Sequence, residues 1–134
     1  MATTVTPTLS RLKTTALVII ASVFVQLALG IAMLTGYNSV AIAKAHSGFG
    51  YLTLLASVVA AFFAFQTRKA DASAKGLFFH SLSLPVLAIL QTGLGEMIGG
   101  SGGLKWLHVA LGLAFTGAAV SLYTLLDKRI RGHR

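Results

Sequence analysis

Four apolar segments take up most of the 134 residues of this chain, and they constrain its fold more than any other feature. They run over residues 14–35, 45–66, 76–98 and 104–126. A membrane-spanning helix needs about 20 apolar residues, so the chain can hold four such helices but no soluble domain of any size. With 55% hydrophobic and 10% charged residues, residues 1–134 are predicted to form a single all-α membrane domain.

The charged residues lie at the ends of these segments or outside them. Eleven lysines and arginines outnumber three acidic residues, for a net charge of +8, but their positions favour membrane topology over nucleic-acid binding. Lys44 and Lys105 are at the first and third connections. The other nine are in the N-terminus, the middle connection and the C-terminus: Arg11, Lys13, Arg68, Lys69, Lys75, Lys128, Arg129, Arg131 and Arg134.

This charge distribution predicts the orientation of the chain in the membrane. Basic residues concentrate on the cytoplasmic side, so both termini and the middle connection are predicted to be cytoplasmic, in the cytoplasmic membrane of a prokaryote. Connections are expected at residues 36–44, 66–75 and 99–103, where glycine, asparagine or charged residues interrupt the apolar segments. Such short connections predict an up-down-up-down four-transmembrane-helix bundle.

The two halves of the chain share a pattern, which predicts an internal two-fold repeat over residues 14–66 and 76–126. Each half has Gln-x3-Gly late in one segment, then a connection, a lysine, and His-x3-Gly early in the next segment. The first copy comprises Gln26, Gly30, Lys44, His46 and Gly50. The second copy comprises Gln91, Gly95, Lys105, His108 and Gly112.

Histidine inside a membrane helix is costly unless it has a partner, so His46 and His108 are candidate functional residues. They lie about one turn inside the same end of helices two and four, which are diagonal partners in such a bundle. Two inward-facing imidazoles at one depth are what a bis-histidine heme requires. The alternatives are hydrogen bonding between helices without a cofactor, and a zinc or copper site, for which Glu96 is the only further ligand at that level.

Other residues of the repeat have expected roles around such a heme. Glycines near the ligand level let the backbone approach the ring: Gly30, Gly50, Gly95 and Gly112. Lys44 and Lys105 lie where heme propionates would emerge, and either charge pairing or simple topology accounts for them. Gln26 and Gln91 are expected to hydrogen-bond across the bundle.

Several polar residues fall outside the repeat. His80 lies near the opposite end of helix three with no second histidine at its depth, and it is expected to bond to Ser81, Ser83 or the membrane interface. Pro85 is expected to bend helix three because it removes a backbone donor in the middle of the segment. Trp106 is expected to be an interfacial anchor.

At these residues the chain resembles one half of heme A synthase, a membrane enzyme built from two related four-helix bundles. The resemblance covers Thr14 to Leu126. It rests on the stretch from Gln26 to Gly36 and on the two histidines, whose positions, 46 and 108, are 62 apart. It implies that His46 and His108 are axial ligands of a heme b held as a cofactor.

The chain departs from that family in two ways. The catalytic half of the family has a glutamate three residues before the first histidine, where this chain has Ala43, and members often carry a cysteine pair that this chain lacks. Without cysteine there is also no covalent heme attachment. The chain therefore looks like the half that holds the cofactor heme.

Three functions follow from these patterns. The first is a heme-b cytochrome for electron transfer, with a quinol or a respiratory-complex subunit as its partner. The second is a heme A synthase-type enzyme acting as a homodimer, for which Glu96 is the only candidate catalytic group near the heme. The third is a cofactor-free accessory or assembly subunit of a respiratory complex, docked through its small residues.

Overall fold

The computed structural model describes residues 7–98 and 102–132, which form α-helices and one short 3₁₀ turn, with no strand in that part of the chain. The prediction of an all-α fold is confirmed. The helices are α1 (Pro7–Leu34), α2 (Val40–Ala70), α3 (Lys75–Met97) and α4 (Gly102–Gly132), and the 3₁₀ turn covers Ala72–Ala74. All four helices are long and apolar enough to cross a membrane.

The connections are shorter than the sequence patterns predict. Helix α2 begins at Val40 because the Ser39 side chain caps it, accepting a hydrogen bond from the backbone nitrogen of Ile42 at 3.2 Å. The same helix runs on through the polar residues up to Ala70. Gly102 and Gly103, predicted to belong to a turn, start α4. The rest of that turn, residues 99–101, and Arg134 lie outside the described residues.

Gly36 ends α1 in a way that requires glycine. Its φ is +100°, in the left-handed region that other residues rarely adopt. The Tyr37 amide donates to the Ala32 carbonyl at 2.9 Å, and the Gly36 amide donates to the Met33 carbonyl at 3.4 Å. This pair of bonds is a Schellman motif, which satisfies the last carbonyls of the helix and turns the chain towards α2.

The helices pack in a ring: α1 contacts α2, α2 contacts α3, α3 contacts α4, and α4 contacts α1. Within the described residues, α2 and α4 make no backbone approach to each other, and neither do α1 and α3. At one end, Lys13 pairs with Asp127 at 2.7 Å, and Arg129 bonds to Asp71. We call this the basic end; it comprises the start of α1, the α2–α3 connection and the end of α4. The opposite end is the histidine end.

The buried core lies entirely in the half of the bundle next to the basic end. Its largest fully buried apolar side chains are Leu12, Ile19, Leu84, Leu122 and Leu126. In the described residues, no buried side chain occurs after Val23 in α1, before Thr53 in α2, after Ala88 in α3 or before Phe115 in α4. The side chains of the histidine end are, by comparison, half-buried or exposed in the described residues.

Asp71 connects the α2–α3 link to α4. Its carboxylate accepts from the Ser73 amide at 2.9 Å and also from Arg129, which bonds to the Ser73 hydroxyl at 2.7 Å. The hydrogen bonds from Ser73, with a smaller effect of Arg129, hold the pKa of Asp71 below its ordinary value of 3.8. The link is therefore stabilised at neutral pH, and this stabilisation is lost as the pH falls below 3.8.

His80 has a different partner from those expected. Its Nε2 donates to the backbone carbonyl of Ala118 in α4 at 2.9 Å, while Ser83 donates to the backbone carbonyl of His80. The Ser81 hydroxyl is buried and has no partner among the described residues. His80 is therefore a tie between α3 and α4. Pro85 is buried five residues after His80 in α3, which continues through it to Met97.

Two alanines on one helix test where the core lies. Ala119 is 1% exposed, whereas Ala114 is exposed. Ala119→Leu should lower the free energy of unfolding by about 1–3 kcal/mol, because the close-packed core has no space for the added carbons. Ala114→Leu should change it by less than about 0.5 kcal/mol. Denaturant titration in detergent measures both; equal effects would contradict this position of the core.

Candidate functional site

His46 and His108 face each other across the histidine end. His46 is on α2 and His108 on α4, the two helices whose backbones do not approach each other. Their ring centres are 6.1 Å apart and their ring planes are inclined by 60°. Both side chains are half-buried. The two imidazoles therefore meet between helices that are not neighbours in the ring.

The spacing of the two rings fits ligands on opposite sides of one metal atom. A bond between a metal and an imidazole nitrogen is about 2 Å long, which places the centres of two such rings about 6 Å apart. The observed separation is 6.1 Å. In the described residues, no third histidine, cysteine, aspartate or glutamate completes a group that could hold a bare ion.

One hydrogen bond determines the tautomer of His108. Its Nδ1 lies 3.0 Å from the backbone oxygen of Gln91 on α3. A carbonyl can only accept, so Nδ1 carries the proton and Nε2 keeps its lone pair. A ligating histidine commonly donates its second ring nitrogen to such an oxygen, which orients the ring and raises its basicity. His108 is therefore held in the tautomer that a metal ligand requires.

His46 has neighbours that correspond to those of His108, but its ring lacks the hydrogen bond to a backbone oxygen that His108 makes. Its Nδ1 is buried and has no hydrogen-bond partner within the described residues. Gln26, the counterpart of Gln91, is on the neighbouring helix α1. The two imidazoles are thus in matching positions, but His108 is tied more firmly to its neighbouring helix.

The four glycines of the sequence pattern make room for side chains of the neighbouring helix. A Cβ on Gly30 would lie 3.5 Å from Cε1 of His46, and one on Gly95 would lie 3.2 Å from Cε1 of His108. A Cβ on Gly50 would lie 2.8 Å from Nε2 of Gln26. The same contact recurs at 3.0 Å between Gly112 and Nε2 of Gln91. In both halves, a histidine and a glutamine pack reciprocally against glycines.

The two glutamines do not make the hydrogen bonds across the bundle that the sequence suggests. The side-chain oxygens of Gln26 and Gln91 are both buried, and neither has a partner among the described residues. A buried amide oxygen without a donor costs about 1–3 kcal/mol. Gln26 and Gln91 each lie about one helical turn from a glycine that packs on a histidine. Their two unpartnered oxygens can accept hydrogen bonds from a bound group or from water.

The charged candidates lie at the surface of the histidine end. Lys44 and Lys105 are exposed, and the Lys105 ammonium lies over the Trp106 ring at 5.5 Å. Glu96 is also exposed and accepts a hydrogen bond from the Tyr51 hydroxyl of α2 at 3.3 Å. The Tyr51 contact was not expected from the sequence. The only feature of the sequence that could have indicated this contact is the position of Tyr51, about one turn after His46 on α2. Helix α2 is a neighbour of α3, which carries Glu96.

Comparison of the chain with protein-family models, with curated proteins and with solved structures gives no match. The class defined by the fold and the site is therefore the coarse one: a four-helix bundle able to span a membrane, with two imidazoles facing each other in its interior.

Two glycines on α3 test whether the site needs the close approach of His108. Nothing lies within 4 Å of a Cβ on Gly93, whereas one on Gly95 would press on the His108 ring. Gly93→Ala should raise the free energy of unfolding by up to about 1 kcal/mol through helix propensity. Gly95→Ala should lose this gain and weaken the bond from Nδ1 to Gln91, which is worth about 1 kcal/mol.

The measurements are thermal unfolding in detergent and ¹⁵N NMR of the histidine rings, which reports the tautomer. Gly93→Ala serves as the matched control, because it makes the same substitution two residues away. An unchanged His108 signal in the Gly95→Ala variant would show that the glycine does not seat the ring.

Proposed function

We propose that this protein is a heme-b-binding integral membrane cytochrome with His46 and His108 as the axial ligands of the iron. The observation that carries the proposal is the pair of facing imidazoles with ring centres 6.1 Å apart. A six-coordinate heme takes one nitrogen on each face, and ligands on facing helices of a bundle core are a known way to supply them.

The surroundings of the rings support a heme over a hydrogen-bonded histidine pair. The Nδ1 atom of His108 donates to Gln91, which leaves Nε2 for the iron. In the described residues, the half of the bundle that contains the rings holds no apolar side chain of the buried core. The exposed Lys44 and Lys105 at this end are positioned to pair with propionates.

A bound heme b supplies one-electron chemistry, and the protein's own groups do the rest. The two imidazoles hold the iron, and Gln91 orients one of them. The apolar bundle limits access of water and so influences the reduction potential. No group of the chain is needed to move atoms, so the proposed role is single-electron transfer, with a quinol or a subunit of a respiratory complex as the partner.

The reciprocal contacts support the proposed internal repeat and the resemblance to one half of heme A synthase. His46 packs on Gly30 as His108 packs on Gly95. In the same way, Gln26 packs on Gly50 and Gln91 packs on Gly112. The enzyme reading is weaker, because Ala43 replaces the family's glutamate and Glu96 is exposed. A cofactor-free accessory subunit would not account for the two facing histidines. A homodimer remains part of the proposal only as an assembly of two such cytochromes.

We further propose that the bundle is up-down-up-down in a prokaryotic cytoplasmic membrane, surrounded by lipid, with both termini in the cytoplasm. The support is the distribution of charge. The basic end carries eight of the described cations, whereas the histidine end carries Lys44 and Lys105. The heme site then lies near the outer face.

The first test is the difference spectrum between dithionite-reduced and oxidised protein, purified in detergent from cells with ample heme. Wild type should show a low-spin b-type spectrum. His46→Ala and His108→Ala should each abolish it, because each removes one axial nitrogen. His80→Ala is the control, because His80 bonds to Ala118 instead, and it should keep the spectrum.

The outcomes separate the alternatives. Heme-free wild-type protein would remove the cytochrome reading and favour the accessory subunit. A spectrum that survives in the two site variants would show that the heme has other ligands.

Orientation is testable because the chain has no cysteine. Asn38→Cys places a single thiol in the α1–α2 connection, and Ser10→Cys places one on an exposed position near the start of α1. A membrane-impermeant maleimide applied to intact cells should label the Asn38→Cys variant at least about tenfold more than the Ser10→Cys variant. Labelling both after lysis checks reactivity, and the reverse pattern in intact cells would contradict the proposed orientation.

A further inference from the structure

Three cations at the basic end have no acidic partner within the described residues. Arg68 and Lys69 are at the end of α2, and Lys75 is at the start of α3. The two carboxylates of this end are engaged by other cations: Asp127 by Lys13 and Arg131, and Asp71 by Arg129. The α2–α3 side therefore carries uncompensated positive charge.

Phenylalanine rings bring two of these cations, Arg68 and Lys75, together. The Arg68 guanidinium lies 5.0 Å from the centre of the Phe78 ring and 5.5 Å from that of Phe79. The Lys75 ammonium lies 6.0 Å from the same Phe79 ring, so Arg68 and Lys75 share it. Each contact is within the range of a cation–π interaction. The guanidinium and the ammonium are thus drawn to one ring despite their like charges.

A third ring extends the apolar part of this surface. The Lys69 ammonium lies 5.7 Å from the centre of the Phe65 ring. Phe65 and Phe79 are 45% and 51% exposed, so they present apolar surface on the outside of the bundle, next to the cations. We call this surface the cation–phenylalanine patch, and its members are Phe65, Arg68, Lys69, Lys75, Phe78 and Phe79.

We propose that the cation–phenylalanine patch binds the head group of an anionic phospholipid. The three cations match the negative phosphate, and the exposed rings lie where the first carbons of the acyl chains would contact them. A soluble anion would use the cations but not the rings. The site is on helices able to cross a membrane, at their charged ends, where lipid phosphates are found.

The patch differs from the general positive charge of the basic end. Lys13 also lies over an aromatic ring, that of Tyr123 at 5.2 Å, but its ammonium is paired with Asp127 at 2.7 Å. Arg131 is paired with Asp127 as well. Among the described residues of the basic end, the combination of unpaired cations and exposed rings therefore occurs on the α2–α3 side. This proposal does not depend on the heme site.

The experiment compares two triple variants of the full chain that each remove three positive charges from the same end. One carries Arg68→Gln, Lys69→Gln and Lys75→Gln. The control carries Arg11→Gln, Lys128→Gln and Arg131→Gln. Each protein is mixed in detergent with equimolar dioleoyl phosphatidylglycerol and dioleoyl phosphatidylcholine, and native mass spectrometry counts the lipids that remain bound.

Wild type and the control should retain phosphatidylglycerol in preference to phosphatidylcholine. The patch variant should bind phosphatidylglycerol at least roughly tenfold more weakly, because each cation near an anionic lipid contributes to binding. Equal losses in both triple variants would mean diffuse attraction to charge and would overturn the proposal. If the patch triple variant fails to fold by circular dichroism, Lys69→Gln and Lys75→Gln singly should each give part of the loss, and the absence of any loss would likewise overturn it.

Two further arms address the source of the phosphate and the role of the rings. Inorganic phosphate should displace the lipid no better than chloride at equal ionic strength, and specific displacement by phosphate would assign the site to a free anion instead. Phe79→Ala keeps every charge and should still reduce lipid retention several-fold. Unchanged retention in that variant would show that the rings take no part.

Discussion

The structure depends on one constraint: a polar side chain inside an apolar bundle must find a partner. Most of them do. Ser22 and Thr53 share a hydrogen bond of 2.7 Å between α1 and α2, and His80 ties α3 to the backbone of α4. Four buried side-chain atoms in the described residues have none, and three of them belong to Gln26, His46 and Gln91 at the histidine end. Such groups are expensive to keep, which is why this end is the candidate site.

The two ends of the bundle meet that constraint differently, and their packing reflects it. The basic end combines a close-packed leucine-rich core with ion pairs such as that between Lys13 and Asp127. At the histidine end, no side chain of the described residues is buried to that degree, and two imidazoles meet there from opposite helices. The buried core and the facing histidines thus occupy opposite halves of the same four helices.

Hydropathy and the repeated pattern were enough to locate the four helices and to single out His46 and His108. They did not give the helix ends, because the Ser39 cap and the polar last turns of α2 extend it beyond the apolar residues. They also did not give the partner of His80, which is a backbone carbonyl of another helix, or the contact between Tyr51 and Glu96. A backbone acceptor leaves no mark in residue types, and a contact between distant positions leaves no periodicity.

The sequence by itself determined the all-helical fold, the length of the apolar segments, the turn at Gly36 and the uneven distribution of charge. These features depend on local hydrogen bonds and on the transfer of each side chain out of water, both of which act within a segment. Only the tertiary structure decided which half of the bundle is close-packed, which glycine receives which histidine or glutamine, and that Arg68 and Lys75 share one ring. Those outcomes depend on side-chain shapes meeting across helices that are far apart in sequence, where no single segment contains the information.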